Sequence, residues 1–386
     1  GKELPQIAMA KFFKKGDFRS GYYRDQTFMF SLDEVTPQQF FAGLYAHTDI
    51  NHDPMSAGRQ MGSSFATHSL DENYDWKDLT KQFNSSADLS PTGSQMPRLL
   101  GLAQASKIYK NLKVTGSEKF TNNGNEIAWG TIGNASTSEG HFFEAINAAG
   151  VLQIPMIISI WDDEYGISVH SKHQTTKENI SEILKGFQRN KKENGFEIIT
   201  VKGWDYPALI NTYEKAEKIA RTEHVPIIIH VTEMTQPQGH STSGSHERYK
   251  SKERLQWEVD FDCNTKFREW IIESGIASEV EIKSIENNAI DFVKSQKKEA
   301  WNEYQSPIKA EWKELLGIFN SIDSQVNIPE IADWIKDLNQ SAMFGIFRRD
   351  YMSKARNLLG RIVHENIPEK ATLRSFINRI NAENFD

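Results

Sequence analysis

Two stretches of the chain place oxygen-bearing side chains directly after apolar, strand-like runs. Asn134 lies in "TIGNASTSEG", after the run 126–132. Asp162 and Asp163 lie in "WDDEYGIS", after the run 155–161. Mg²⁺ takes oxygen ligands in near-octahedral geometry and commonly combines few protein ligands with substrate phosphates. An amide from one strand end and a carboxylate from the next could supply the protein's share of such a site.

The residues after Asn134 also suit a phosphate group. A helix that starts near Ser136 to Glu139 would direct its N-terminal amide groups at a diphosphate. In the alternative interpretation, Asn134 caps this helix, and Asp162 and Asp163 are ordinary turn residues. The residues alone leave both interpretations open.

Two further stretches carry groups that could contact phosphate. "GHSTSGSHERYKS" (239–251) combines histidines, serines and flexible glycines, which suit phosphate contacts or proton transfer. "GYYRDQ" (21–26) contains a Tyr–Arg pair that could hold a phosphate group. Taken singly, the first stretch is better explained as a mobile polar loop and the second as a surface ion pair.

Composition limits the classes of function. The 386 residues allow one large α/β domain with additional helices, or two modest domains. The net charge of −7 argues against a nucleic acid or an anionic membrane as partner, since no basic surplus meets phosphates. No run of about 18 apolar residues occurs, so we expect no membrane span. The single cysteine, Cys263, excludes an internal disulfide and favours a reducing compartment, and we predict a cytoplasmic location.

An alternation of apolar strands and amphipathic helices must position these groups. Strands that are apolar throughout indicate a parallel sheet with helices on both faces. Sites in such sheets lie beyond the carboxyl ends of the strands, so the polar stretches that follow them should converge at one edge. The predicted strands cover 126–132, 155–161, 196–203 and 226–234.

The flanking regions differ from this central part. Residues 36–47 predict a helix capped by Thr36 with Pro37 in its first turn, and 62–97 predict a long polar surface excursion. After Lys250 the chain becomes charged and helical, with Pro329 as a helix start. We therefore predict an α/β domain over 1–305 and a helical C-terminal extension over 306–386.

From residue 21 to about residue 304, the chain resembles the alpha subunit of thiamine-diphosphate-dependent 2-oxoacid dehydrogenases, with the branched-chain type closest. The resemblance implies the α/β thiamine-diphosphate-binding fold and a thiamine diphosphate cofactor. It rests on several motifs in the same order, namely "GYYRDQ", "GRQM" (58–61), "SPTGSQMP" (90–97), "GNASTSEGHFFEAINAA", 153–158, "DDEYGIS", "VKGWD" and "GHSTS".

The resemblance also assigns the metal ligands. Asn134 stands where the family has an acidic ligand, and Asp163 stands where the family has an asparagine. The Tyr165 carbonyl takes the place of the backbone ligand. Because one negative charge is kept when the acid and the amide exchange strands, we predict a functional Mg²⁺ site at Asn134, Asp163 and Tyr165.

Other positions match the family's cofactor contacts. Tyr23 and Arg24 match the pair that holds the diphosphate, and His240 matches the catalytic histidine beside it. The remaining predicted cofactor-binding residues are Gly133, Ala135, Ser136 and Ile167.

Two sets of positions qualify the resemblance. A segment with Ser90, Ser94 and Gln95 matches one that binds a monovalent cation such as K⁺ in some members. Lys250 stands where the family usually has arginine, and Trp161 stands where its branched-chain members have another arginine. Both departures predict a weaker or differently built diphosphate pocket.

The implied reaction is oxidative decarboxylation of a 2-oxoacid, with the acyl group passed to a lipoyl group on an acyltransferase component. The family's activating glutamate belongs to a beta subunit, so the chain should need a beta subunit or a fused beta half and form an oligomer. The length of the helical extension favours the fused form. A non-catalytic assembly subunit and a transketolase-like ketol transferase are the alternatives.

Overall fold

The computed structural model describes residues 1–60, 64–240, 246–341 and 345–385. The chain divides into two compact units, Gly1–Val293 and Lys294–Asp386. The division falls within a helix, Glu279–Asp323, and so does the boundary that the sequence places between 305 and 306. An α/β unit followed by a helical unit is the predicted fold class, and it is confirmed.

A six-stranded parallel sheet forms the first unit, in the order β2-β1-β3-β4-β8-β7. The central strands are the predicted ones, with ends shifted by one or two residues. A separate antiparallel hairpin consists of β5 and β6. The strands are β1 Phe18–Ser20, β2 Asn84–Ser85, β3 Ala128–Gly133, β4 Met156–Trp161, β5 Tyr165–Gly166, β6 Val169–His170, β7 Glu197–Lys202 and β8 Ile227–Thr232.

Strand β2 corrects the expectation for 62–97. Asn84 and Ser85 are almost fully buried and pair with β1 at the edge of the sheet. The segment is therefore partly built into the sheet and is not a surface excursion throughout.

Helices cover both faces of the sheet because side chains alternate between faces along each strand. In β4, Ile157 and Trp161 pack into one core, whereas Ile158 and Ile160 pack into the other. The helices of this unit are α1 Glu3–Ala10, α2 Gln26–Ser31, α3 Pro37–Leu44, α4 Gln95–Asn111, α5 Gly140–Leu152, α6 Ile180–Ile183, α7 Tyr206–Glu223, α8 Lys252–Asp260 and α9 Cys263–Glu273. α1, α2 and α7 contribute to the first core, and α4, α5 and α6 to the second.

The predicted cap of α3 is present. The Thr36 hydroxyl accepts a hydrogen bond from the Gln39 amide, and the Gln39 side chain accepts one from the Thr36 amide. This reciprocal capping box satisfies two backbone donors at the helix start.

The second unit has its own apolar core. Leu315 and Phe319 are fully buried in it, and Pro329 begins a helix as predicted. The helices from the unit boundary onward are α10 Glu279–Asp323, which spans the boundary, α11 Pro329–Ser341, α12 Arg348–Arg361 and α13 Glu369–Phe385. Among the described residues, no helix has the length and apolar character needed to cross a membrane.

Candidate functional site

A cavity of about 290 Å³ lies where β3 and β4 end, at the edge of the sheet that the strand pattern predicts. Every residue that the sequence assigns to thiamine diphosphate or to Mg²⁺ contributes to its lining. These residues are Tyr23, Arg24, Gly133, Asn134, Ala135, Ser136, Asp163, Tyr165, Ile167 and His240.

Asn134 is buried at the end of β3 and presents its side chain at the cavity. Its backbone amide donates to the Trp161 carbonyl over 3.0 Å, which joins the ends of β3 and β4. A 3₁₀ turn, Ala135–Ser138, follows it, and α5 begins only at Gly140. Asn134 occupies the N-cap position of this turn, but its side chain makes no capping hydrogen bond.

Two buried donors in the cavity wall lack a partner. The Asn134 Nδ2 group and the Tyr22 hydroxyl have no hydrogen-bond partner among the described residues. Buried polar groups are nearly always hydrogen-bonded, so such groups at a cavity indicate a ligand that accepts hydrogen bonds. Tyr22 has no predicted role, because its neighbour Tyr23 carried the resemblance.

A buried ion network fixes the loop that carries these tyrosines. The fully buried Arg19 guanidinium lies 2.8 Å from carboxylate oxygens of both Asp25 and Asp88. It also donates to the Tyr22 carbonyl over 3.3 Å. Since removing one member of such a network would leave a buried charge unpaired, the loop is held in one conformation.

Arg24 supplies a guanidinium group to the cavity. Its Nη1 donates to the Tyr23 hydroxyl over 3.0 Å, and its guanidinium lies 4.9 Å from the centre of the Tyr23 ring. The ring contact restricts the side chain without consuming its charge, so Arg24 can meet an anionic ligand.

The neighbouring aspartates have different surroundings. Asp162 accepts hydrogen bonds from His230 Nε2 and from the Glu164 amide, both over 2.8 Å, as a turn residue does. Asp163 lines the cavity instead, and its Oδ1 accepts from the Tyr165 amide over 3.2 Å.

The second oxygen of Asp163 is engaged by a residue that the sequence did not predict. Lys2 Nζ lies 2.5 Å from Asp163 Oδ2 and 2.8 Å from Gln236 Oε1. Burial would raise the pKa of Asp163, but the Lys2 ammonium outweighs this and holds that pKa below its usual value. No local pattern could reveal the contact, since its members lie 161 residues apart in the chain.

A family model described as "Dehydrogenase E1 component" matches residues 1–309 of the chain. The chain belongs to the dehydrogenase E1 component family. Membership of this E1 family implies dependence on thiamine diphosphate.

Curated E1 proteins are similar to the chain at moderate identity. The 2-oxoisovalerate dehydrogenase subunit alpha 1 of Arabidopsis thaliana, a mitochondrial protein, is 26% identical over 83% of this chain and 59% of its own length. The 2-oxoisovalerate dehydrogenase subunit alpha of Bacillus subtilis is 24% identical over 79% of this chain and 80% of its own length. The pyruvate dehydrogenase E1 component subunit alpha of Rickettsia bellii is 28% identical over 52% of this chain and 55% of its own length.

Two cavity positions differ from the arginines that the E1 resemblance leads one to expect. Lys250 Nζ lies 2.6 Å from the buried Glu258 carboxylate, so its charge is largely compensated within the protein. Trp161 offers a buried indole ring in place of a cation. A second cation, Arg254, pairs with Glu258 as well, and its Nη2 donates to the Asp163 carbonyl over 3.0 Å. These contacts stiffen the rim of the cavity and do not add free positive charge.

The β5–β6 hairpin places Ile167 at the cavity in an unusual conformation. Ile167 has a φ of +59° and is 62% exposed, in the two-residue loop between the strands. A hairpin loop that needs positive φ normally uses glycine there, and a β-branched residue is strained. Strain of this kind is typical of ligand contacts.

His240 lies at the cavity margin and is exposed. Partial burial and the nearby Arg24 guanidinium lower the pKa of His240, while Asp163 opposes them. The ring is therefore mainly neutral at pH 7. Residues 241–243 of the quoted motif "GHSTS" and Met61 of "GRQM" lie outside the described part of the chain.

The segment predicted to bind K⁺ lies beside the cavity, but the three residues predicted as ligands do not line it. Gln95 is buried and donates to the Thr131 carbonyl over 2.9 Å. Ser90 and Ser94 are absent from the wall, to which the same segment contributes Thr92. The K⁺ assignment stays a prediction.

The cavity groups fit a diphosphate better than they fit Mg²⁺. Unpartnered donors and the Arg24 cation suit diphosphate oxygens. The predicted Mg²⁺ set has one carboxylate, and Lys2 already holds it.

Proposed function

We propose that this chain is the alpha-type part of a thiamine-diphosphate-dependent 2-oxoacid dehydrogenase and supplies its diphosphate-binding site. The observation that carries the proposal is the cavity beside Arg24, where Tyr22 and Asn134 are buried donors with no partner in the described part of the chain. Its position at the carboxyl edge of a parallel sheet is the usual place for such a ligand. E1 family membership names the cofactor class.

When bound, thiamine diphosphate supplies the carbon nucleophile and the electron sink for decarboxylation. The protein residues would fix and neutralise the diphosphate: Arg24 by charge, Tyr22 and Asn134 by donated hydrogen bonds. His240, kept mainly neutral, can accept or donate a proton at the margin of the cavity. Ile167 offers an apolar contact from the rigid hairpin.

The chain should act together with a beta subunit or a fused beta half. A cavity of about 290 Å³ lies at the lower end of ligand-site volumes, which suits a site completed by another chain. Ile285, Ile290 and Val293 of α10 are 60%, 52% and 42% exposed, so α10 offers apolar surface to such a partner.

The proposed substrate is a 2-oxoacid, with a branched-chain acid first. Two of the relatives are named for 2-oxoisovalerate and another for pyruvate, which keeps both in view. The acyl group would pass to a lipoyl-bearing acyltransferase component, and the location remains predicted as cytoplasmic.

Mg²⁺ at Asn134, Asp163 and Tyr165 would require Lys2 to leave Asp163. The metal and the ammonium are both cations, so they cannot share that carboxylate oxygen at bonding distance. Mg²⁺ therefore remains a conditional part of the proposed site.

A non-catalytic, alpha-like assembly subunit is the second candidate. The ion pairs Lys2–Asp163 and Lys250–Glu258 favour it, because each neutralises a charged group of the cavity within the protein. A subunit of this kind would keep the fold and the partner surface without binding the cofactor.

Calorimetry of the chain, assembled with its beta partner, against thiamine diphosphate separates these candidates. Binding, followed by CO₂ release from 2-oxoisovalerate with acyl transfer to a lipoyl group, is the expected result. A parallel assay with pyruvate tests the substrate, and one with sugar phosphates tests the transketolase-like alternative. Absence of cofactor binding by the assembled protein would exclude the proposed function.

A further inference from the structure

Lys2 is built into the cavity wall by contacts from three segments. Its side chain is 11% exposed and its ammonium is held by Asp163, after β4, and by Gln236, after β8. The buried Gln6 side chain donates to the Lys2 carbonyl over 2.8 Å and to the Arg24 carbonyl over 3.0 Å. Gln6 thus ties the backbone of Lys2 to the loop that carries Arg24.

The ammonium lies where a cation bound to Asp163 would lie. A divalent metal would approach the Oδ2 atom to about 2.1 Å, whereas Lys2 Nζ is 2.5 Å from the same atom. The contacts with Asp163 and Gln236 use two of the three ammonium N–H groups among the described residues. The remaining N–H group is available to an oxygen of a ligand in the cavity that Lys2 lines.

The other cavity groups fit this arrangement. A lysine paired with one aspartate leaves no net charge, whereas Mg²⁺ on the same aspartate would leave one positive charge. The diphosphate must then be held by Arg24 and by donated hydrogen bonds, and the cavity offers Tyr22 and Asn134, two donors without a partner in the residues that the structure describes. Asn134, as an amide in place of a carboxylate, can donate to a phosphate oxygen.

We propose that the Lys2 ammonium takes the place of the divalent cation, so that this chain binds thiamine diphosphate without Mg²⁺. The inference rests on the proposed function, because it concerns the same diphosphate site. The exchange of acid and amide at Asn134 and Asp163 predicts a Mg²⁺ site, and the present inference differs from that prediction.

The test measures thiamine diphosphate binding to the chain assembled with its beta partner, in saturating Mg²⁺ and in EDTA. The wild type should bind with affinities that agree within about threefold in the two conditions. Lys2→Met should lose about tenfold or more in EDTA, since it removes a charge-assisted hydrogen bond. Mg²⁺ should restore part of that loss, because the Asp163 carboxylate becomes free to bind the metal.

Two further variants make the result specific. Lys11→Met removes an exposed lysine just after α1 and should leave both affinities unchanged. In the double variant Lys2→Met with Asp163→Asn, Mg²⁺ should no longer restore binding, because the vacated carboxylate is gone. Thermal unfolding followed by circular dichroism verifies that each variant is folded.

The outcomes separate this inference from the function on which it rests. Wild-type binding that requires Mg²⁺, or a Lys2→Met variant that binds as tightly as the wild type in EDTA, overturns the role of Lys2 and leaves the proposed function standing. No wild-type binding in either condition overturns both.

Discussion

The chemistry of the site depends on a few side chains. Some lack a hydrogen-bond partner among the described residues, and one is paired with an unexpected residue. Tyr22 and Asn134 are buried donors without partners among the described residues, and Lys2 diverts the carboxylate expected to hold a metal. Arg24 is the cavity cation held by an aromatic ring instead of a carboxylate. We therefore expect the affinity for a ligand to depend most on these residues.

Replacing Arg24 by methionine should weaken thiamine diphosphate binding by about ten- to hundredfold. The loss is that of a charge-assisted contact with the diphosphate, worth about 1.5–3 kcal/mol. Calorimetry on the assembled protein measures it. Arg349→Met, which removes an arginine of the second unit whose side chain is 82% exposed, is the matched control and should bind normally. An Arg24→Met affinity within about threefold of the wild type would remove Arg24 from the site.

Replacing Ile167 by asparagine should stabilise the folded chain while weakening cofactor binding. Asparagine tolerates positive φ, and Ile167 is mostly exposed, so relief of strain of about 1 kcal/mol outweighs the lost packing. Denaturant unfolding and calorimetry report the two effects. Val169→Asn, on β6 of the same hairpin, lacks this strain and should not stabilise. A destabilised Ile167→Asn would show that the hairpin stores no strain.

Strands and helices hold these residues in place, and only some of the strands could be predicted from the sequence. The strands β3, β4, β7 and β8 were predicted because each is an apolar run bounded by turn residues. The strands β1 and β2 have three and two residues, too short for any periodicity to appear. Their place in the sheet comes from pairing with residues distant in the chain.

The residues that line the cavity could likewise be predicted only where a local sequence pattern marks them. Motif residues such as Asn134, Asp163 and Arg24 follow strand ends or a recognisable loop, and the structure brings them to one cavity. Lys2 and Gln236 reach the cavity, and Arg254 reaches the Asp163 backbone beside it, only through tertiary contacts. No spacing rule connects residues on such different segments, so their contribution could not be read from the sequence.

The end of α7 carries a pH-sensitive residue that joins this helix to the turn before β3. His224 ends the helix with a φ of +55°, is 7% exposed, and its Nε2 donates to the Gly124 carbonyl over 3.1 Å. Burial, with Lys110 nearby, lowers the pKa of His224 to about 4. The unfolded chain therefore binds a proton at this residue between about pH 6.5 and 4, where the folded chain does not.

Acidification should consequently destabilise the wild type through His224. In that pH range, the free energy of unfolding should fall by about 1 kcal/mol per pH unit more than in His224→Asn, a variant that keeps a residue tolerant of positive φ. Urea unfolding at several pH values measures the difference. Parallel pH profiles for the two proteins would show that His224 titrates alike in the folded and unfolded states.

At the scale of the whole molecule, the chain consists of two units with separate cores. The residues of the candidate site all belong to the first unit, Gly1–Val293. A defect in the core of the second unit should therefore affect stability without direct loss of cofactor contacts.

Replacing Phe319 by alanine tests this independence. Phe319 is fully buried in the core of the second unit, so its truncation should destabilise that unit by about 3–5 kcal/mol. Calorimetric unfolding should show an early transition, while thiamine diphosphate affinity of the assembled protein at low temperature stays unchanged. Phe347→Ala, at a position 43% exposed, should cost much less. Loss of cofactor affinity in Phe319→Ala would show that the two units are coupled.

The most direct test of the account is an experimental structure of the chain, assembled with its beta partner, with thiamine diphosphate bound. The account predicts the diphosphate within hydrogen-bond distance of Tyr22, Asn134 and Arg24, in the cavity beyond β3 and β4. A diphosphate bound elsewhere, or a cavity closed by its own side chains in the presence of saturating cofactor, would contradict it.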